Sequence, residues 1–242
     1  MPDEPVDSSD PTSAIDPDYD ALREIMIATQ ISERGITDKR VLEAFRQTPR
    51  HDFVPLAVRR NAYADYPLPI GENQTISQPY MVAVMLALLA LRGGERVLEI
   101  GAGSGYQTAL LCHLCGYVYA IERFETLATN AAETLHRLGY TNFTMFHGDG
   151  SAGLEAYAPY DVIIAAAVAP RVPQPLIDQL ADGGRLIMPI AAVHALPFGR
   201  RRKNPGNDQI LVGVVRRGAD YLHQTFGGVR FVPLVGKHGF RE

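Results

Sequence analysis

Three features are scarce in this chain of 242 residues, and each scarcity excludes a class of protein. There are only two cysteines, too few for the disulfide framework of a small secreted protein. The longest uncharged apolar run covers residues 81–91, whereas a membrane-spanning helix needs about 20 residues. Neither sign of charge dominates, because the net charge is −4, so we expect no nucleic-acid or membrane partner. Nothing is typical of a signal peptide, and we therefore expect a cytoplasmic protein.

The composition supports one sizeable core with additions rather than two domains. Hydrophobic residues make up 46% of the chain, and a domain usually has roughly 100–200 residues. Residues 1–17 contain five acids, four prolines and no base, so we predict a disordered acidic tail. We predict that residues 18–78 form a helical and loop extension covering the site. Residues 79–242 are the predicted core, which ends in a β segment and carries an insertion at 191–208.

From residue 79 onward, segments of helix and strand length alternate. Strands are predicted at 96–100, 118–121, 143–146, 161–166 and 185–189, and helices at 79–91, 105–115, 125–138 and 173–180. This alternation is typical of βαβ units, and it predicts an α/β fold with a mostly parallel central sheet. Two further β segments, 209–215 and 228–234, have no helix between them and predict an antiparallel C-terminal edge.

The N-terminal part has a different pattern. Thr37 is predicted to cap a helix over 38–47, whose apolar residues recur at helical spacing. Residues 49–78 contain prolines, glycines and aromatics without periodicity, and they predict a long ordered loop. Long ordered loops in compact domains are often functional.

A glycine-rich turn follows the predicted strand 96–100 and opens the next helix. Its Gly101, Gly103 and Gly105 allow the backbone to approach a ligand beside the positive end of that helix. The spacing is Gly-x-Gly-x-Gly, which differs from the Gly-x-Gly-x-x-Gly of dinucleotide-binding proteins. Glu99 ends the strand, where a carboxylate would repel a pyrophosphate but suits a cationic ligand with an amino-acid end.

Acidic residues also follow the next two predicted strands. Glu122 lies 21 residues beyond Gly101, where a carboxylate can accept hydrogen bonds from both hydroxyls of a ribose. Asp149 and Gly150 follow the third strand, where an acid can meet an adenine amino group. A glycine turn with these two acids fits S-adenosylmethionine as the cofactor. The alternative is that they are ordinary turn residues whose carboxylates are solvated or cap helices.

Five segments, in chain order, carry a resemblance to a known family. They are residues 75–81 (Thr-Ile-Ser-Gln-Pro-Tyr-Met), the glycine turn, 148–150 (Gly-Asp-Gly), 165–170 (Ala-Ala-Ala-Val-Ala-Pro) and 229–234 (Val-Arg-Phe-Val-Pro-Leu). Together they resemble protein-L-isoaspartate O-methyltransferases over residues 20–235. The resemblance implies a Rossmann-like S-adenosylmethionine-dependent methyltransferase fold. It also implies transfer of a methyl group to the free carboxylate of L-isoaspartyl residues in damaged proteins and peptides, which initiates their repair.

The resemblance also implies which residues form the site. The family's active-site serine falls on Ser77, the expected catalytic residue. The expected cofactor-binding residues are Thr75, Ile76, Ser77, Glu99, Gly101, Gly103, Gly105, Glu122, Asp149 and Gly150. We expect no metal and a monomer. Residues 112–115 (Cys-His-Leu-Cys) have ligand-like spacing, but zinc needs four ligands and no second pair exists.

The chemistry of this reaction agrees with the residues present. The free α-carboxyl of an isoaspartyl residue has a pKa of roughly 3–4, so it is ionised at neutral pH and needs no general base. Ser77 can donate a hydrogen bond that orients this carboxylate, although it could instead cap the helix before Pro79. Two other functions stay open: methylation of a small molecule or other acceptor, and a non-catalytic cofactor-binding adaptor.

Overall fold

The structure, a computed structural model, describes residues 17–192 and 209–241. Its strands are β1 (Leu68–Gly71), β2 (Gln74–Ile76), β3 (Arg96–Ile100), β4 (Tyr117–Glu122), β5 (Phe143–His147), β6 (Tyr160–Ala165), β7 (Leu180–Ala191), β8 (Gln209–Arg217) and β9 (Asp220–Val229). Its α-helices are α1 (Tyr19–Ile25), α2 (Lys39–Gln47), α3 (Pro79–Leu89), α4 (Tyr106–Leu114), α5 (Glu125–Arg137) and α6 (Gln174–Asp178). The predicted tail and most of the predicted insertion lie outside the described residues.

Seven strands form one sheet in the order β5-β4-β3-β6-β7-β8-β9. The pairs among β3 to β7 are parallel, whereas β8 pairs antiparallel with both β7 and β9. This confirms the predicted mostly parallel sheet with an antiparallel C-terminal edge. Strands β4 and β6 lie on opposite sides of β3, so the strand order reverses at β3. In such sheets ligands bind at the carboxyl ends of the strands beside the reversal.

Both faces of the sheet are buried, because apolar side chains of each central strand point alternately to two cores. On β3, Val97 belongs to the core formed with α2, α3 and α4, while Leu98 and Ile100 belong to the core beside α6. Met26 and Phe45, from the N-terminal extension, are fully buried in the first core. The extension is therefore packed onto the sheet and shares its core.

Several helix boundaries differ from the prediction; α6, for example, ends at Asp178 rather than at residue 180, and two of the differences have a clear local cause. The cap of α2 is Asp38 rather than Thr37, because the Asp38 carboxylate accepts hydrogen bonds from the amides of Arg40 and Val41. Helix α3 ends at Leu89, two residues early, since Ala90 adopts a left-handed conformation with φ of +47°. Such a residue stops the helical hydrogen-bond pattern.

The stretch 49–78 contains more regular structure than the predicted loop. Short 3₁₀ helices cover Arg50–Phe53 and Leu56–Asn61, and β1 and β2 form an antiparallel hairpin. Glu72 and Asn73 turn the hairpin with φ of +49° and +54°. Two successive positive φ values are the mark of a tight hairpin turn, in which Asn is favoured. The signal for this hairpin was present in the sequence and was missed.

The predicted strand 228–234 is wrong. The last strand, β9, begins at Asp220 after a turn at Gly218, whose φ is +60°. Its side chains are largely exposed and polar, so it lacks the apolar run by which a buried strand is identified. Residues 230–235 leave the sheet instead, and a single bridge joins Val168 to Pro233.

One further feature of the fold concerns membranes. In the part of the chain that the structure describes, no helix has both the length and the apolar composition that a bilayer span requires.

Candidate active site

A cleft of about 970 Å³, including its open mouth, lies at the carboxyl ends of the parallel strands. The loops that follow β3, β4, β5 and β6 all contribute to its walls, as does the segment after β2. Seven of the predicted site residues line it: Thr75, Ile76, Ser77, Gly101, Gly103, Glu122 and Gly150. Glu99, Gly105 and Asp149 do not. The topology thus brings together residues that are far apart in the chain.

The glycine turn requires glycine at each of its three positions. Gly101, Gly103 and Gly105 have φ values of +78°, +56° and +85°, which residues other than glycine rarely adopt. A Cβ atom at Gly103 would also lie 3.1 Å from Cδ1 of Ile70 on the β1–β2 hairpin. The hairpin therefore lies close over the turn, and the turn can approach a ligand with bare backbone.

Glu122 connects the ends of β3 and β4 across the cleft floor. Its side chain is 6% exposed, and its Oε2 accepts a hydrogen bond of 2.8 Å from the amide of Gly103. Oε1 accepts a bond of 3.1 Å from the amide of Phe124. A carboxylate has about four lone-pair sites, so two remain for the hydroxyl groups of a ligand. A buried acceptor beside a bare glycine turn fits a nucleoside.

Ser77 faces the same cleft from the end of the hairpin. The cap of α3 is Gln78, and no side chain bonds to the first amides of this helix, so the alternative capping role of Ser77 is not seen. Among the described residues, the Ser77 hydroxyl has no hydrogen-bond partner. Its carbonyl oxygen accepts a bond of 2.8 Å from Nη2 of Arg50. The hydroxyl is therefore free to donate into the cleft.

Glu99 occupies a different place from the one predicted. It is completely buried behind the glycine turn, where Thr108 Oγ1 and Gln107 Nε2 donate to its carboxylate at 2.6 and 3.0 Å. Burial raises the pKa of Glu99 to about 7, although these hydrogen bonds oppose the shift. Glu99 therefore connects the end of β3 to the start of α4 through hydrogen bonds. It does not line the cleft itself, whereas Gln107, which donates to it, does.

Glu99 should make the stability of the protein depend on pH. Its pKa of about 7 lies above the ordinary 4.5, so between these values the folded state binds a proton that the unfolded state has lost. The free energy of unfolding should therefore fall as pH rises from 4.5 to 7, by about 3 kcal/mol from this group. Denaturant unfolding at several pH values should show this decline in the wild type and not in Glu99→Gln. Parallel pH curves for the two proteins would contradict it.

Asp149 also has a role that its sequence position did not predict. Its Oδ1 accepts a hydrogen bond from the amide of Ser151, and its Oδ2 accepts one of 2.7 Å from the amide of Lys237. Lys237 follows a segment, residues 232–235, that lines the cleft. Asp149 therefore anchors this C-terminal segment over the cleft. Both carboxylate oxygens accept from backbone amides, and Asp149 is not among the residues that line the cleft.

The role of Asp149 can be tested by adding a side chain at Gly236, which packs against the Asp149 carboxylate. A Cβ atom at Gly236 would lie 2.0 Å from Oδ1 of Asp149, so Gly236→Ala must displace either the segment or the Asp149 carboxylate that holds it, and both weaken the anchor. We expect weaker binding of S-adenosylhomocysteine, measured by calorimetry, with little change in melting temperature. Gly94→Ala is the matched control, because a Cβ there meets nothing within 4 Å. Equal affinities for both variants would show that the segment does not shape the cleft.

The sequence interpretation missed two side chains near the cleft. Tyr106 is the first residue of α4, lines the cleft and is 1% exposed. Arg50 lies behind Ser77 with no exposed surface. No local pattern marks an arginine in a short 3₁₀ helix as a neighbour of a serine 27 residues later.

Comparison with known proteins shows to which family the chain belongs. The family model described as Protein-L-isoaspartate(D-aspartate) O-methyltransferase (PCMT) matches residues 21–239. The protein-L-isoaspartate O-methyltransferase 1 of Syntrophobacter fumaroxidans is 47% identical over 222 residues, which cover 92% of this chain and 98% of that protein. The protein-L-isoaspartate O-methyltransferase of Methanoculleus marisnigri is 49% identical over 219 residues, covering 90% and 94%.

Solved structures give the same relationship. A protein-L-isoaspartate O-methyltransferase superposes with a TM-score of 0.77 and 27% identity, covering 90% of this chain and 67% of that one. A Plasmodium falciparum protein described as a methyltransferase of the same kind, in complex with S-adenosyl-L-homocysteine, gives 0.71 and 26%, covering 90% and 98%. Sequence, fold and cleft agree, and the chain belongs to the protein-L-isoaspartate O-methyltransferase family.

Proposed function

We propose that the protein transfers a methyl group from S-adenosylmethionine to the free carboxylate of L-isoaspartyl residues in damaged proteins and peptides. The observation that carries this proposal is the free hydroxyl of Ser77 on the wall of the cleft that also contains Glu122. Membership in the family supports the same reaction and the initiation of repair. A non-catalytic adaptor would have no need of the Ser77 hydroxyl.

We propose that the cofactor is held by the residues that share the cleft. Glu122 accepts hydrogen bonds from the ribose hydroxyls, and the backbone of Gly101 and Gly103 lies against the amino-acid end. Gly150 lines the cleft and packs tightly on Ile100, since a Cβ there would lie 2.6 Å from Cγ2 of that residue. Thr75 and Ile76 close the cleft from the hairpin, so residues 18–78 cover the site. Glu99, Gly105 and Asp149 do not line the cleft, and they hold the lining residues in position.

The chain's part in catalysis is positioning rather than proton transfer. When bound, S-adenosylmethionine supplies the methyl group: a carboxylate oxygen forms the new O–C bond while the S–C bond breaks and its electron pair stays on sulfur. Ser77 donates a hydrogen bond that holds the carboxylate in line for this displacement. The small side chains of Ala166 and Ala167, which line the cleft after β6, leave space for a peptide backbone. The hairpin and residues 232–235 exclude water from the ion pair of reactants.

Methyl transfer to matched peptides tests the proposal. With labelled S-adenosylmethionine, a peptide containing one isoaspartyl residue should be methylated far faster than the same peptide with aspartate. The aspartyl carboxylate is displaced by one methylene, and the in-line geometry is demanding. If both peptides react equally, or neither reacts, the acceptor is a different molecule, and the fold and cofactor assignments survive.

We further propose that the enzyme is a cytoplasmic monomer. One chain supplies every wall of the cleft described above, which supports activity without a second subunit. Cys112 and Cys115 are both free thiols, which suits a reducing compartment.

A further inference from the structure

Arg50 is a buried positive charge without a negative partner. Its side chain has no exposed surface, and within the described residues no carboxylate forms an ion pair with it. Arginine is almost never fully buried unless it is paired, because removing a charge from water is costly. Burial lowers the pKa of Arg50, which reflects the same cost. Because burying this charge costs free energy, packing alone does not explain why an arginine occupies this position.

The contacts of Arg50 point toward the acceptor side of the cleft. Nε donates to the carbonyl of Ala62 at 2.7 Å, and Nη2 donates to the carbonyl of Ser77 at 2.8 Å. The guanidinium carbon lies 4.8 Å from the centre of the Tyr106 ring. Among the described residues, the buried Nη1 and the buried Tyr106 hydroxyl have no well-aligned hydrogen-bond partner, although the two side chains interact with each other. The guanidinium therefore lies against the Ser77 backbone with its hydrogen-bonding capacity only partly used.

We propose that Arg50 is the residue that makes the site select an ionised carboxylate, by placing a permanent positive charge behind Ser77. The inference rests on the proposed function, because it concerns the acceptor of that reaction. A guanidinium stays protonated at every physiological pH, so the attraction is always present. Arg50 acts through Ser77 and through its electric field, and it is a positioning residue rather than a catalytic one.

This placement accounts for both entry and exit of the acceptor. An anion that enters the cleft gains an interaction with a charge that water screens poorly, whereas a neutral carboxamide gains little. Methylation converts the carboxylate into a neutral ester and removes the attraction. The same arginine therefore favours binding of the substrate and release of the product.

Peptide binding without turnover tests the inference. The proteins are saturated with S-adenosylhomocysteine, and the dissociation constants of an isoaspartyl peptide and its α-carboxamide counterpart are measured. Wild type should bind the acid about 10- to 100-fold more tightly than the amide, as expected for a charge several ångströms away in a poorly screened site. Arg50→Met should bind the two peptides equally, with little change in affinity for S-adenosylhomocysteine. Arg50→Lys keeps the charge and should keep part of the preference.

The outcomes separate this inference from the proposed function. Arg50→Met with the wild-type preference would overturn the role of Arg50, as would a wild type that methylates isoaspartyl peptide but binds acid and amide equally. A wild type that does not methylate isoaspartyl peptide would instead overturn the proposed function. If Arg50→Met does not fold, Arg50→Gln takes its place: loss of the preference for the acid supports the inference, and the wild-type preference refutes it.

Discussion

Replacing Ser77 by alanine is expected to lower kcat by about 10- to 1,000-fold, the range seen when one donor to a developing charge is removed. Within residues 17–192 and 209–241 the Ser77 hydroxyl has no hydrogen-bond partner to lose, so the variant should fold normally. Affinity for S-adenosylhomocysteine should change much less, because we propose that Glu122, elsewhere in the cleft, makes the ribose interaction. Steady-state kinetics with an isoaspartyl peptide give kcat and KM, and calorimetry gives the affinity.

Two further measurements show whether Ser77 acts as proposed. Thr141→Ala removes an exposed hydroxyl before β5 and should leave kcat unchanged. The pH profile of the wild type should lack a limb near pH 6.5, since no histidine lines the cleft in the described part of the chain. An unchanged kcat in Ser77→Ala would mean that the backbone alone orients the acceptor.

The glycine turn and Glu122 were predictable from the sequence because their signals are local. Three glycines between a strand and a helix permit a turn with positive φ at each of them, and Glu122 follows from the length of one βα unit. The parallel sheet followed from the alternation of apolar segments. The role of Ser77 was predicted from the resemblance to a family, since no local pattern distinguishes a serine that caps a helix from one that faces a ligand.

The remaining features depend on contacts between distant residues. Glu99 was expected in the cleft, but Thr108 and Gln107 turn its carboxylate into the core. The partner of Asp149 lies 88 residues later in the chain, at Lys237, so its anchoring role has no local signal. Arg50 is likewise defined by a carbonyl group 27 residues away. A sequence pattern indicates which residue types can do chemistry, and packing decides which of them reach the ligand.

Replacing Glu122 by alanine is expected to weaken binding of S-adenosylmethionine by roughly 2–3 kcal/mol, because charge-assisted hydrogen bonds to two hydroxyls are lost together. This equals about a 30- to 150-fold increase in Kd. The measurement is calorimetry with S-adenosylmethionine and S-adenosylhomocysteine. Glu133→Gln, an exposed position on α5, is the control and should bind both as the wild type does.

A second consequence follows from the contacts of Glu122 within the protein. Because its carboxylate also holds the amides of Gly103 and Phe124, the alanine variant should lose some stability as well as affinity. Glu122→Gln keeps the shape of the side chain but only one acceptor oxygen, so either the amide of Gly103 or that of Phe124 loses its partner, and some stability should be lost here too. Its affinity for the cofactor should also fall, since the neutral amide is the weaker acceptor. Unchanged affinity in a folded Glu122→Ala would remove Glu122 from the cofactor site, and tight binding of NAD by the wild type would overturn the choice of cofactor.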